Sequence, residues 1–165
     1  MNFRKGNPDD LHDLKELAIR SWSQYETYLT RENWEKLFES LSNSETYTQL
    51  ISTSECLLCE DDQGEIIGMA FVMPSGNPTK DYESEWCHLR FVTVSPDYRG
   101  KGIGKLLTEK CILLAKENQE TVMALHTSEM MKTAQAIYEK LGFELRKEIE
   151  PRYGKQYWIY TLELR

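Results

Sequence analysis

Apolar residues recur at intervals of three and four in several stretches of the chain, which is the spacing of one helix face. The first stretch follows Asn7, a favourable cap, and Pro8, which favours the first helical turn. Its apolar stripe consists of Leu11, Leu14, Leu17, Ala18 and Trp22. A second stripe follows Thr30 and consists of Trp34, Leu37, Phe38 and Leu41. The pattern predicts two helices, and residues 45–52 add one or two further helical turns.

Other apolar residues come in short runs bounded by turn residues, which is typical of strands. Residues 2–6 form a short first strand. The runs Glu55–Glu60 and Glu65–Met73 form a hairpin around the turn DDQG, and a polar loop leads to a fourth strand, Trp86–Val94. Three further runs predict strands: TVMALHT, FELRKEI and QYWIYTLEL, the last two around the turn EPRYGK.

Two more helical patterns separate these later strands. One opens at a glycine-rich stretch and has its core face at Ile103, Leu106, Leu107, Cys111 and Leu114. The other is capped by Thr127 or Ser128 and ends at Gly142, where glycine favours a left-handed stop. The predicted order is β-αα-βββ-α-β-α-ββ. We expect one α/β (α+β) domain over residues 1–165, with helices flanking a single mixed sheet of about seven strands.

Composition excludes several classes of function. The chain of 165 residues carries a net charge of −7, and such a field repels nucleic acid and anionic membranes. No apolar run approaches the ~20 residues of a membrane span, and the N-terminal residues lack a signal-peptide core. We therefore expect a cytoplasmic protein that binds neither nucleic acid nor membrane.

The cysteines do not predict a metal centre. Cys56 and Cys59 have the spacing of half a zinc site, but no second close pair of Cys or His completes it. They lie three apart in a predicted strand, so their side chains point to opposite faces. We expect free, buried thiols and no metal.

The stretch YRGKGIGKLL holds three glycines in five residues, Gly100, Gly102 and Gly104. It is not a Walker loop, because Arg99 stands where the first glycine belongs. It is not the dinucleotide fingerprint either, because Lys105 occupies the third glycine position. Successive N–H groups at the start of a helix, beside Arg99 and Lys105, instead predict an anion site.

At these residues the sequence resembles the GNAT N-acetyltransferase family. That family's acetyl-CoA signature, [RQ]-x-x-G-x-[GA], is met by Arg99, Gly102 and Gly104. A second stretch, AQAIYEKLGFE, resembles the family's helix end with the pattern Ala-x-x-x-Tyr-Glu-Lys-x-Gly-Phe. The two motifs occur in the family's order, and the resemblance covers nearly the whole chain. It implies the GNAT fold, with a mostly antiparallel mixed sheet.

The resemblance also implies a cofactor site. The loop N–H groups would hold the pyrophosphate of acetyl-CoA, and the fourth strand would offer its backbone to the pantetheine arm where it splays from the fifth strand. Many relatives have an asparagine contacting the cofactor where this chain has Met131. The predicted cofactor-binding residues are Val92, Thr93, Val94, Arg99, Gly100, Lys101, Gly102, Ile103, Gly104, Lys105, Met131 and Tyr138.

Three kinds of residue are candidates for the chemistry. Tyr138 matches the tyrosine that many relatives use to protonate the departing thiolate; otherwise it is a core aromatic. His88 stands where several relatives have a glutamate base, and histidine can accept a proton near neutral pH, although a strand histidine is often only structural. Glu85 is the second candidate base and His126 the third.

The acceptor is expected to be the primary amine of a small molecule. Trp22, Tyr25, Tyr28 and Trp34 either line its pocket or pack in the core, and the acidic loop before the fourth strand suits a cationic amine. Two alternatives stay open: a CoA-binding sensor without turnover, and an enzyme that acetylates protein or peptide N-termini. The resemblance allows a homodimer.

Overall fold

A computed structural model describes residues 1–165. One sheet contains seven strands in the order β1-β2-β3-β4-β5-β7-β6. Only β4 and β5 are parallel neighbours, and every other neighbouring pair is antiparallel. The strands are β1 Asn2–Lys5, β2 Glu55–Glu60, β3 Ile66–Met73, β4 Trp86–Val94, β5 Val122–Ser128, β6 Glu144–Arg152 and β7 Lys155–Glu163. The predicted mixed, mostly antiparallel sheet is confirmed.

Five α-helices flank the sheet: α1 Leu11–Trp22, α2 Arg31–Ser42, α3 Ser44–Thr53, α4 Ile103–Glu117 and α5 Lys132–Lys140. Short 3-10 helices span Pro8–Asp10, Ser23–Tyr28 and Pro96–Tyr98. The predicted cap holds, since the Asn7 side chain accepts a hydrogen bond from the Asp9 N–H. The two turns expected at 45–52 are a ten-residue helix. Its length follows from a second cap, Asn43, and from the burial of Tyr47 and Leu50.

Two predicted boundaries were wrong. Thr127 and Ser128 do not cap α5, because β5 extends through Ser128 and the helix begins after Met131. Strand β6 continues through Pro151, which shortens the last turn to Tyr153 and Gly154. A proline is tolerated there because β6 is an edge strand.

The sheet separates two apolar layers. Helices α1, α2 and α3 pack on one face, with Leu14, Leu41 and Tyr47 in that layer. Helix α4 and Tyr138 of α5 pack on the other face. Cys56 and Cys59 are free, buried thiols that point to opposite faces of β2, as predicted. Cys56 belongs to the first layer and Cys59 to the second. None of the helices combines the length and the apolar character needed to cross a bilayer.

Candidate active site

The centre of the sheet is open on one side. Strands β4 and β5 pair only at Trp86–Val122, Cys87–Met123 and His88–Ala124, after which β4 has no partner on that side. On its other side, residues 90–93 of β4 lie opposite only residues 69–71 of β3, which makes a bulge. Phe91 in this bulge has φ 53°, a left-handed conformation that costs about 1–2 kcal/mol for a non-glycine residue. A cavity of about 1040 Å³ occupies the gap.

The glycine-rich loop at one end of this cavity presents unpaired hydrogen-bond donors. The seven successive main-chain N–H groups of residues 99–105 donate to no main-chain carbonyl, and the first that does belongs to Leu106, at 3.0 Å from Gly102 O. Gly100 and Gly102 adopt φ 77° and 79°, conformations that suit glycine. The loop is therefore a concave set of donors at the N-terminus of α4, which favours an anion.

Gly104 has a different reason to be glycine. It lies inside α4 and lacks a positive φ, and an added Cβ would meet only Val94 Cγ2 at 3.7 Å and Ile137 Cδ1 at 3.8 Å. These are ordinary contacts, so packing within the protein does not require glycine here. A ligand that approaches the backbone from the cavity does account for it.

The basic side chains of the loop differ in their contacts. The Arg99 guanidinium donates to Ser21 O at 2.9 Å and thereby ties the loop to the end of α1. Lys105 lines the cavity and lies 3.8 Å from Glu109. The Lys101 ammonium sits 4.9 Å from the Tyr98 ring centroid, and Lys101 does not line the cavity.

The structure brings most of the predicted cofactor residues to one cavity. Those that line it are Val92, Val94, Arg99, Gly100, Gly102, Ile103, Gly104, Lys105, Met131 and Tyr138. Thr93 does not, because it is buried on another side of the strand with its hydroxyl donating to Phe91 O at 2.9 Å. Lys101 and Thr93 are thus the two exceptions.

Tyr138 projects from α5 into the same cavity. Its ring packs against Phe143, with centroids 5.7 Å apart. Burial, with a smaller contribution from nearby Tyr25, raises the pKa of the phenol above its ordinary value. Tyr138 therefore keeps its proton at neutral pH and is able to donate it.

The three candidate bases are placed very differently. His88 is 4% exposed, stacks on the Tyr82 ring at 3.9 Å and does not line the cavity. Its Nε2 atom has no hydrogen-bond partner, and burial, followed by the charge of Arg90, lowers its pKa to about 4. Glu85 is exposed in the loop before β4 and also lies outside the cavity lining.

His126 is the candidate base that reaches the cavity. Its Nδ1 atom shares a hydrogen bond of 2.8 Å with the Tyr82 hydroxyl. Burial, followed by the charges of Arg152 and Arg90, lowers its pKa to about 3. The imidazole is consequently neutral at physiological pH.

The cavity lining is also aromatic and basic. Trp22, Tyr25 and Tyr28 line the cavity, whereas Trp34 packs against Phe38 on another surface. Its charged lining residues are the cations Arg90, Arg99, Lys105, Lys132 and Lys155, with Glu129 as the single anion.

The acidic loop contributes nothing to that lining. Its Asp81 lies 3.0 Å from Arg152 in an ion pair, while Glu83 and Glu85 are exposed outside the cavity. The wall thus has the charge opposite to that suggested by the acidic loop. No group of three or more His, Cys, Asp or Glu side chains is placed to hold a metal ion.

Sequence reasoning missed two features of this site, the Tyr82–His126 hydrogen bond and the side chain of Arg90. The bond joins residues 44 apart, which no local pattern reveals. Arg90 did leave a signal. It alternates with buried Cys87 and Leu89 on β4, which places it on the same face as His88.

Comparisons with known proteins agree on one family. The sequence model of the acetyltransferase (GNAT) family matches residues 11–143. The mouse protein named N-acetyltransferase family 8 member 3 is 25% identical over 142 residues, which is 84% of this chain and 59% of that relative. The chain therefore spans about three fifths of the length of this curated relative.

Solved structures share the fold. The PaiA N-acetyltransferase of Thermoplasma acidophilum, solved in complex with coenzyme A, superposes with a TM-score of 0.79 at 20% identity and 98% coverage of both chains. A ribosomal-protein-alanine N-acetyltransferase of Brucella melitensis gives a TM-score of 0.74 at 21% identity and 99% coverage of both chains.

Proposed function

This chain belongs to the acetyltransferase (GNAT) family, and we propose that it transfers the acetyl group of acetyl-CoA to the primary amine of a small molecule. The observation that carries the proposal is the run of seven unpaired main-chain N–H groups at the mouth of a gap between β4 and β5. These donors suit the pyrophosphate of CoA. The unpaired side of β4 suits the pantetheine arm, which is itself an amide chain.

The residues fit this substrate along the whole gap. Gly104 leaves room for a phosphate against the first turn of α4, and Lys105 adds a positive charge. Val92 and Val94 supply the apolar wall of β4 where the arm would run. Met131, in place of the asparagine of many relatives, offers only apolar contact from its side chain.

Acetyl-CoA supplies an acetyl group activated as a thioester. Tyr138 faces the end of the gap and, with its proton held by burial, protonates the departing thiolate. A group with a raised pKa is protonated at every pH below that value, so the titration of Tyr138 adds no pH dependence to the rate between pH 6 and 9.

We assign His126 the role of orienting the acceptor amine and not that of a general base that takes up the amine's proton. In the tautomer that carries its proton on Nδ1, His126 donates to the Tyr82 oxygen, and its Nε2 is free to accept a hydrogen bond from the amine. Its pKa of about 3 makes it a weak base, so the proton of the amine passes on to water. His88 and Glu85, the other candidates, would act only through intervening groups, because neither lines the cavity.

A peptide N-terminus is the second candidate acceptor. The fold is shared with a structure named for acetylation of a ribosomal-protein alanine. That likeness concerns the fold alone, so the small-molecule amine remains our first proposal.

The test is release of free thiol from acetyl-CoA against a panel of amino acids, polyamines, aminoglycosides and short peptides. The proposal expects turnover with small amines and an acetylated product in equal amount to the thiol. Turnover with peptides alone would favour the second candidate. Binding of acetyl-CoA without turnover on any amine would leave a CoA-binding sensor.

A further inference from the structure

Arg90 lines the cavity. It stands on β4 immediately before the bulge, two residues after His88, whereas the glycine loop follows the other end of the strand. Val92 and Val94 lie between Arg90 and that loop. The position of Arg90 is thus separate from the proposed pyrophosphate site.

The guanidinium of Arg90 has no anionic partner in the protein. Its one specific contact is with the Phe91 ring, whose centroid lies 5.9 Å from Cζ. Other semi-buried arginines are paired, since Arg4 lies 2.8 Å from Asp10 and Arg152 lies 3.0 Å from Asp81. A partly buried, unpaired charge is unfavourable, so a ligand anion would stabilise it.

The surroundings reinforce the need for an anion. Burial, and the neighbouring charge of Arg152, lower the pKa of Arg90. Lys155, which lines the same cavity, also forms no ion pair within the protein. Arg90 and Lys155 are therefore unpaired cations of one lining, in which Glu129 is the single acidic side chain.

We propose that Arg90 binds a carboxylate of the acceptor, so that the acceptor is an amine that also carries a carboxylate, in the class of amino acids with a large apolar side chain. A guanidinium matches a carboxylate through two parallel hydrogen bonds. Trp22, Tyr25 and Tyr28 provide the aromatic surface for the side chain. This inference rests on the proposed acetyltransferase function and specifies its substrate.

The experiment compares matched acceptors that differ only at the carboxylate: phenylalanine, phenylalaninamide and phenethylamine, followed by other amino acids and their amides. Wild-type protein should acetylate the free acid with a kcat/KM about 10- to 100-fold above that of the amide, the effect of a charged hydrogen bond. Arg90→Gln should remove this preference by slowing the free acid much more than the amide. Arg90→Lys should keep part of the preference for the free acid, because the positive charge remains while the two parallel guanidinium hydrogen bonds are lost.

Arg31→Gln is the matched control, because Arg31 is exposed on α2 and pairs only with Glu35. It should leave all rates unchanged. Stabilisation by acetyl-CoA, measured in every variant, shows that each is folded and holds the cofactor.

Two results would overturn the inference alone. One is amides acetylated as well as free acids across the whole set, and the other is an Arg90→Gln variant that slows both equally. Calorimetric titration of phenylalanine into the CoA-loaded protein tests the inference without turnover. Binding that weakens at least tenfold in Arg90→Gln supports the carboxylate site even where no amine is acetylated, and equal binding contradicts it.

Discussion

Tyr138 is the proposed general acid, and removal of its hydroxyl group tests this role. Tyr138→Phe keeps the ring packed against Phe143 and deletes only the hydroxyl. Acetyl-CoA binding should therefore hold, while turnover falls about 10²- to 10⁴-fold, the usual contribution of general acid catalysis. Steady-state rates with calorimetry of cofactor binding measure both quantities. Unchanged turnover would return Tyr138 to a packing role.

Substitution of His126 and of His88 tests which of the two histidines accepts a hydrogen bond from the acceptor amine. His126→Ala should lower kcat/KM about tenfold, the value of one positioning hydrogen bond. His12→Ala, an exposed histidine on α1, is the control and should change nothing. If His88→Ala slows the reaction while His126→Ala does not, His88 has the role that the sequence assigned to it.

The buried His88 also predicts how stability depends on pH. Its pKa falls from an ordinary 6.5 to about 4 in the folded protein, so between these values the unfolded chain binds more protons. Stability from this group is fully present above pH 6.5 and is lost as the pH falls towards 4. From pH 7 to pH 5 the loss amounts to about 2 kcal/mol.

Urea unfolding of wild type and of His88→Gln at both pH values measures that loss. The variant should lose about 2 kcal/mol less than wild type over the same interval. An identical pH dependence in the two proteins would show that His88 does not titrate as described.

Side-chain direction set the limit of residue-level prediction. Ten of the twelve predicted cofactor residues line the cavity. Thr93 fails because it alternates with Val92 and Val94, so its side chain points to the other face of β4. His88 fails to reach the cavity because Tyr82, in the loop just before β4, stacks on its ring.

At the scale of elements, the proposed function makes the loop and the first turn of α4 one anion-binding unit. The substitution Gly104→Ala separates the contribution of this residue to helix stability from its contribution to acetyl-CoA binding. Alanine favours the helix over glycine, so stability should be unchanged or rise by up to about 1 kcal/mol. Acetyl-CoA affinity should nevertheless fall, because the added Cβ enters the space of the pyrophosphate.

Urea unfolding and calorimetry measure the two effects. Gly76→Ala is the control: φ is 89° in a turn outside the cavity, so this change should reduce stability without altering affinity. Gly104→Ala that binds acetyl-CoA as tightly as wild type would contradict the placement of the phosphates.

Elements with strong local signals were predictable. Three such features were predicted correctly: the Asn7 cap, the DDQG hairpin and the apolar stripes of α1 and α2. Each depends on residues that are close together in the sequence. The start of α5 was not, because Met131 caps it without a side-chain hydrogen bond while Ser128 remains in β5. A helix that begins without a side-chain cap leaves little signal in a sequence.

At the scale of the whole molecule, sheet order creates the site. The sole parallel pair, β4 and β5, lies in the middle of the sheet and separates after His88. That separation joins the loop before α4, the end of β5 and the start of α5 around one cavity. Neither the strand order nor the separation follows from local patterns, and the resemblance to the family was what implied them.

The central claim is acetyl transfer, and the direct measurement follows the acetyl group itself. Protein is mixed with acetyl-CoA labelled in the acetyl carbon and with the best amine of the panel, and the products are separated by mass. We expect the label on the nitrogen of the amine, with one free CoA thiol for each labelled product, and a large loss of both in Tyr138→Phe. Label that stays in bound acetyl-CoA in the wild-type protein, whichever amine is offered, would contradict that claim.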